Sequence, residues 1–288
     1  MKGKMKAMKI DDPLHILLTN DDGHEAPGIK ALQQVFKRAG HRVSMVAPST
    51  QQSATSMAVT SRRKLVLNQI GQDSWHLDGQ PADTVLVALR HLFEDNPPDL
   101  VLSGINFGPN VGTAVYMSGT IGAAIMASLH GVPAIAISAG MRFDEAGSEF
   151  PSTFEILDPA AEFVSSVVAS LRSTADKNGR LLPKNIMLNI NYPALPREQI
   201  KGILQPEIST GHLIEMGYHR GEETGQVIPG FFAGVDPRHP DRQDHDVRAH
   251  MEGYITISAI KPHWNPPASQ TEQLQRRLNT LKTEFSLV

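Results

Sequence analysis

The chain is 288 residues long, with 40% hydrophobic and 20% charged side chains and a net charge of −3. That balance supplies a sizeable apolar core and gives no general electrostatic footprint for a nucleic-acid duplex, and no run of about 18 apolar residues is present to cross a membrane. The absence of cysteine removes disulfides and thiolate metal sites, and it fits a reducing, cytoplasmic setting.

Residues 1–13 open with MKGKMKAMK, which is basic but lacks the apolar stretch of a signal peptide, and they read as a solvated tail. From 14 to 204, short apolar runs alternate with helical periodicity. This is the pattern of an α/β core, Rossmann-like and three-layered, with helices on both faces of a parallel sheet. Ile16–Leu18 is the first strand. Pro27 opens a helix that ends near Gly40, with Ile29, Leu32, Phe36 and Ala39 on its buried stripe. Val43–Val46 forms a second strand that runs through Ala47-Pro48 into a polar loop, STQQSATS.

Residues 64–79 read as a hairpin around Gly71, and Pro81 begins a helix with Val85, Leu89 and Leu92 on one face. Asp99–Ile105 is a buried strand, Gly119–His130 a tightly packed helix closed by Gly131, and Ala134–Ile137 the fourth strand of the core. The polar segment 141–153 reads as a loop. A helix then starts at Asp158-Pro159, with Phe163, Val167, Val168 and Leu171 inward, and Ile186–Ile190 follows as a strand. Residues 205–250, rich in Gly, Pro, His and charge, read as an extended arm of hairpins. Residues 251–288 supply a returning strand, Gly253–Ile260, and a terminal helix with a Ser269–Glu272 capping box and a narrow stripe of Leu274, Leu278, Leu281 and Phe285.

Three loops past the carboxyl ends of strands, where open parallel sheets place function, carry small oxygen-bearing side chains. The first holds Asn20, Asp21 and Asp22; the second Ser49, Thr50, Ser53, Thr55 and Ser56; the third Ser103, Asn106 and Asn110. Adjacent carboxylates at a strand end repel each other and cost desolvation unless a cation joins them. Two carboxylates with hydroxyl and amide oxygens form a hard donor set suited to Mg²⁺ or Mn²⁺, and such ions serve phosphate substrates. A helix-capping turn accounts for the pair in isolation about equally well. Ser118-Gly119-Thr120 precedes a helix, where exposed N–H groups and the dipole favour an anion, although an ordinary Ser/Thr cap has the same appearance. Gly104, Gly108 and Gly112 form neither a P-loop, which needs a lysine, nor the dinucleotide fingerprint. His239, His245 and His250 lie among Asp236, Asp241, Asp244 and Asp246 in spacings that fit no metal motif and read as a solvated polar loop.

Taken in order, NDDGHEAPGI (Asn20–Ile29), SGINFGPNVG (Ser103–Gly112), MSGTIGAA (Met117–Ala124) and LNINYP (Leu188–Pro193) closely resemble the signatures of the SurE survival proteins. The resemblance extends from Ile16 to about Ile260. It implies a divalent-metal-dependent 5′/3′-nucleotidase that hydrolyses nucleoside monophosphates. By the same resemblance, Asp21, Asp22, Ser53 and Asn106 hold one Mg²⁺ or Mn²⁺ per subunit, Asn20 lines the site, and Ser118, Gly119 and Thr120 hold phosphate with Asn110 close by. It further implies that the arm and terminal helix assemble a homodimer or homotetramer. The chain departs from the family pattern at Ser49 and Ala54, and it is looser around GQPADTV, which keeps Asp83, and HDVRAHMEGYITIS, which keeps Asp246 and Gly253.

The nucleophile stays open between a metal-activated water and an aspartate, because no separate general base stands out. A phospho-receiver module also ends its first strand in an acidic pair, but it needs a later aspartate and lysine that the candidate strands lack. A non-catalytic, Mg²⁺-dependent nucleotide-binding protein differs from the enzyme only by turnover.

Overall fold

A computed structural model describes residues 12–145, 148–176, 179–233, 245–262, 271–272 and 276. The first strand, β1 (His15–Thr19), is buried along its whole length and leads through the Asn20–Gly23 turn to α1 (Pro27–Arg38). Pro27 starts that helix because its fixed φ suits the first turn, and Ile29, Leu32, Val35 and Phe36 pack inward while Ala39 lies exposed past the end. Then follow β2 (Arg42–Pro48), the β3 (Leu67–Gly71) and β4 (Ser74–Leu77) hairpin, and α2 (Pro81–Val87), which widens into a π-turn at Ala88–Leu92.

Next come β5 (Leu100–Phe107), α3 (Gly119–Leu129) and β6 (Ala134–Ala139). The segment expected to be a loop contains a single turn at Phe143–Glu145 and then α4 (Pro151–Glu155), a helix of one turn begun by a proline. After α5 (Leu157–Ser173), β7 (Met187–Tyr192) and the short β8 (Ile203–Leu204), the chain forms an antiparallel hairpin of β9 (Ile214–Arg220) and β10 (Val227–Ala233). It returns through α6 (Asp246–Met251) and β11 (Ile255–Ile260). Residues 246–250, read from sequence as part of the arm, are thus helical and pack on β11. The terminal-helix stripe and His239 lie outside the described residues.

Among the described residues, the main sheet has nine strands in the order β3-β4-β2-β1-β5-β6-β7-β11-β8. From β4 through β7 every pairing is parallel; β11 against β7 and β3 against β4 are antiparallel. Apolar side chains fill both faces: Leu18, Ile29, Phe36 and Val164 on one side, Leu17, Val85, Ile121 and Val101 on the other. The result is the expected three-layer α/β core with a hairpin arm.

One feature of the strand order decides where function sits. After β1 the chain moves to β2 on one side, then comes back to β5 on the other. The crevice past the carboxyl ends of β1 and β5 is therefore a topological switch point, the characteristic ligand position in open α/β sheets.

Candidate active site

Asn20, Asp21 and Asp22 leave β1 at the switch point, and Asn106 sits near the end of β5, beyond a bulge that breaks the β5–β6 register between Ser103 and Asn106. Asn20 is fully buried, and its Nδ2 donates to the Gly23 carbonyl at 2.8 Å, which closes the turn that presents both carboxylates. Its Oδ1 is buried without a hydrogen-bond partner among the described residues, an arrangement that costs about 1–3 kcal/mol unless a ligand supplies a donor.

Asp21, 3% exposed, faces the start of α3. It accepts the Thr120 hydroxyl at 2.5 Å and the Thr120 backbone N–H at 3.2 Å. The same hydroxyl lies 3.5 Å from Asn106 Oδ1, so Asp21, Thr120 and Asn106 converge on one point. Asp22 turns the other way and accepts the backbone N–H of Phe107 at 3.0 Å. Burial raises the pKa of Asp21 above the usual carboxylate range, against the Thr120 bonds that favour its charge. Burial and the neighbouring Asp21 charge push Asp22 up to about 7, with the Phe107 N–H opposing. Two carboxylates so placed are poor anions on their own and good ligands for a cation, which restores their charge.

The second loop is stitched onto this pair. The Gln52 N–H donates to the Asp21 carbonyl at 2.6 Å, the Ser56 N–H to the Met117 carbonyl at 2.8 Å, and the Ser56 hydroxyl to the Tyr116 carbonyl at 2.9 Å. Gly122 in the first turn of α3 lets the Ser56 carbonyl come against the helix; a Cβ there would overlap it. Ser53 is exposed, and its Oγ accepts from Gln51 Nε2 at 3.0 Å. Further along, Asp83 receives both the N–H and the hydroxyl of Thr60, at 2.9 and 2.7 Å, and so fixes the far end of the loop.

At the helix start, Ser118 is the cap: its Oγ accepts the Ile121 N–H at 3.1 Å. Gly119 is required by close approach, since a Cβ would stand 2.9 Å from Asp21 Cβ. Asn110 is committed to the interior, with Nδ2 donating to Ser138 Oγ at 2.9 Å and its own N–H donating to Asn191 Oδ1 at 2.7 Å. Sequence reasoning missed the supporting side chains Ser138, Asn189 and Asn191, which hold the Asn110 loop. The signal was present in LNINYP, where two asparagines interrupt a core strand.

Among the described residues, no group of three or more His, Asp or Glu forms a metal cluster. A cation at the switch point would have two carboxylates and neutral oxygens as donors, the donor chemistry of a hard ion. His245 precedes α6, Asp246 is occupied by backbone N–H groups, and His250 is buried within the fold.

Residues 16–214 match the family model described as Survival protein SurE. The chain belongs to the SurE family. Among its relatives, the 5′-nucleotidase SurE of Carboxydothermus hydrogenoformans is 38% identical over 253 residues, covering 86% of this chain and 90% of that protein. The 5′-nucleotidase SurE of Desulfitobacterium hafniense is 36% identical over 252 residues, with the same coverage of each chain. In three dimensions, the crystal structure of the SurE protein from Aquifex aeolicus matches with a TM-score of 0.71 at 29% identity, over 92% of this chain and 99% of that one. The SurE motifs read from sequence thus fall on the end of β1, the end of β5, the start of α3 and β7.

Proposed function

We propose that this SurE protein is a divalent-metal-dependent phosphomonoesterase that hydrolyses nucleoside 5′-monophosphates, and 3′-monophosphates as well, to nucleoside and phosphate. The observation that carries it is the convergence of Asp21, Asp22, Asn106 and Thr120 at the switch point, with the N-terminus of α3 beside them. The activity class follows the 5′-nucleotidase name of its relatives.

Asp21 and Asp22, with Asn106 and Ser53, would hold one Mg²⁺ or Mn²⁺. A divalent ion bound there supplies Lewis-acid polarisation of a phosphoryl oxygen and lowers the pKa of a water. The chain's own part is positioning and charge. The Ser118 hydroxyl, whose O–H is left to donate, and the positive end of the α3 dipole would face the phosphoryl oxygens and stabilise their charge as the bond to the leaving oxygen breaks, with the Gly119–Thr120 backbone forming the floor of that turn while the Thr120 donors hold Asp21. Thr120 keeps Asp21 oriented, the Phe107 N–H does the same for Asp22, and Gly119 keeps backbone and carboxylate in contact. Asn20 and Asn110 shape the two turns that bring these groups together. A proton released during attack has Asp21 or Asp22 as acceptor within the site.

The proposed division of the chain is the core at 14–204, the arm at 205–250, whose last residues form α6 against β11, and the returning strand with the terminal helix at 251–288. The exposed Tyr218, Val227 and Ile228 of the hairpin support assembly into a homodimer or homotetramer. No helix among the described residues is long and apolar enough to cross a membrane; a cytoplasmic location and the absence of nucleic-acid partners are part of the same proposal. The test is phosphate release from a panel of nucleoside 5′- and 3′-monophosphates with Mn²⁺, Mg²⁺ or chelator. Metal-dependent release from the nucleotides supports the assignment; nucleotide binding without turnover leaves a non-catalytic binding protein.

A further inference from the structure

Asp246 is fully buried, and among the described residues no cationic side chain is a hydrogen-bond partner of it. Its Oδ2 accepts the Gly112 N–H at 2.9 Å, and its Oδ1 accepts the N–H of Ser209 at 2.8 Å and of Val247 at 2.9 Å. Three segments distant in sequence thus end on one carboxylate: the turn after β5, the root of the hairpin arm, and α6. A buried charge is costly, so N–H groups aimed at it are held firmly.

The turn it holds leads straight to the start of α3. Gly112 begins a single helical turn, Gly112–Tyr116, and the Ser118 N–H donates to the Ala114 carbonyl at 3.0 Å. The arm's root grips the same turn from outside: the Thr113 N–H donates to the Gly211 carbonyl at 2.8 Å, and Val111, Leu213 and Val247 form a small apolar cluster. Gly112 has φ +55°, and a Cβ would overlap the Gly211 carbonyl, so the contact admits only glycine. None of these residues touches Asp21 or Asp22 through a hydrogen bond in the structure.

We infer that Asp246 is a positioning residue that locks the arm's root to the 110–118 turn and so sets the position of Ser118–Thr120 for phosphate. This rests on Ser118–Thr120 being the phosphate site proposed above. Asp246→Asn keeps the shape but replaces one acceptor oxygen by an amide, which leaves either Gly112 or Ser209 facing a donor. The test uses the full chain loaded with Mn²⁺, with inorganic phosphate as the probe in titration calorimetry. Asp246→Asn is expected to weaken phosphate binding by about tenfold or more while Mn²⁺ affinity stays within about twofold. Unchanged phosphate affinity overturns the inference, and so does a parallel loss of Mn²⁺ and phosphate binding, which marks a merely structural role. Should the variant not fold, hydrogen exchange on the wild type decides: slow exchange at the Gly112 and Ser209 amides, slowed further by phosphate, supports the lock, and fast exchange at Gly112 overturns it. Phosphate binding without nucleotide turnover contradicts the nucleotidase proposal and leaves the lock standing.

Discussion

Thr120 donates both its hydroxyl and its backbone N–H to the carboxylate of Asp21, at 2.5 and 3.2 Å. The first turn of α3 and the end of β1 are therefore one unit, and the side chain that orients Asp21, the proposed metal ligand, belongs to the turn proposed to bind phosphate. Thr120→Val keeps the volume and removes the O–H. It is expected to lower kcat/KM by about 10- to 100-fold, while Thr120→Ser stays within a few-fold of wild type. Steady-state kinetics on both variants checks this.

Gly119 stands where a side chain has no room, since a Cβ would lie 2.9 Å from Asp21 Cβ and 3.0 Å from its Oδ2. In Gly119→Ala the carboxylate must move. Turnover should fall by about tenfold or more while thermal unfolding shifts by only a few degrees. Wild-type turnover in the alanine variant would show that the Asp21 position has slack.

Metal-free protein carries a pH signature at Asp22, whose pKa is pushed up to about 7 by burial and by the Asp21 charge. A carboxyl with a raised folded-state pKa imposes no penalty below its unfolded value and its full penalty above its folded value. Stability in chelator therefore declines from about pH 4 to 7, by on the order of 4 kcal/mol from this group. Denaturant melts across that range should show the decline, Asp22→Asn should make it shallower while the buried Asp21 keeps part of it, and Mn²⁺ at neutral pH should reverse it in the wild type.

His250 gives a dependence of opposite sign. Burial lowers its pKa to about 4, and its Nδ1 has no hydrogen-bond partner among the described residues. The neutral ring is the folded form, so its contribution is fully present above about pH 6.5 and is lost as pH falls toward 4, roughly 3 kcal/mol in all. His250→Gln is expected to reduce the acid sensitivity of unfolding without changing the dependence that Asp22 creates. Equal acid sensitivity in the variant would contradict this.

The core was legible because its strands are short apolar runs and α1 and α2 have prolines at their starts; β1, α1, β6 and α3 lie where periodicity put them. Asp21, Asp22, Asn106 and Thr120 were visible as oxygen-bearing residues past strand ends, but only the strand order, β2 on one side of β1 and β5 on the other, puts them in one crevice. Ala39 was read as buried because stripe positions continue past the last turn, whereas Gly40 ends the helix and leaves Ala39 exposed. The α4 turn was missed in a polar stretch where Pro151 was its main local signal. The grip of Asp246 on Gly112 was beyond reach of sequence pattern, since it joins positions 134 residues apart through backbone amides.

The central claim is that Asp21 and Asp22 hold a cation that the hydrolysis of a phosphate ester requires. Its most direct measurement is release of phosphate from AMP by wild type, Asp21→Asn and Asp22→Asn, with Mn²⁺ binding followed on the same samples. The prediction is Mn²⁺-dependent release by the wild type, abolished by chelator, with both binding and release lost in each variant. Release that persists in chelator, or undiminished turnover in Asp21→Asn, would contradict it.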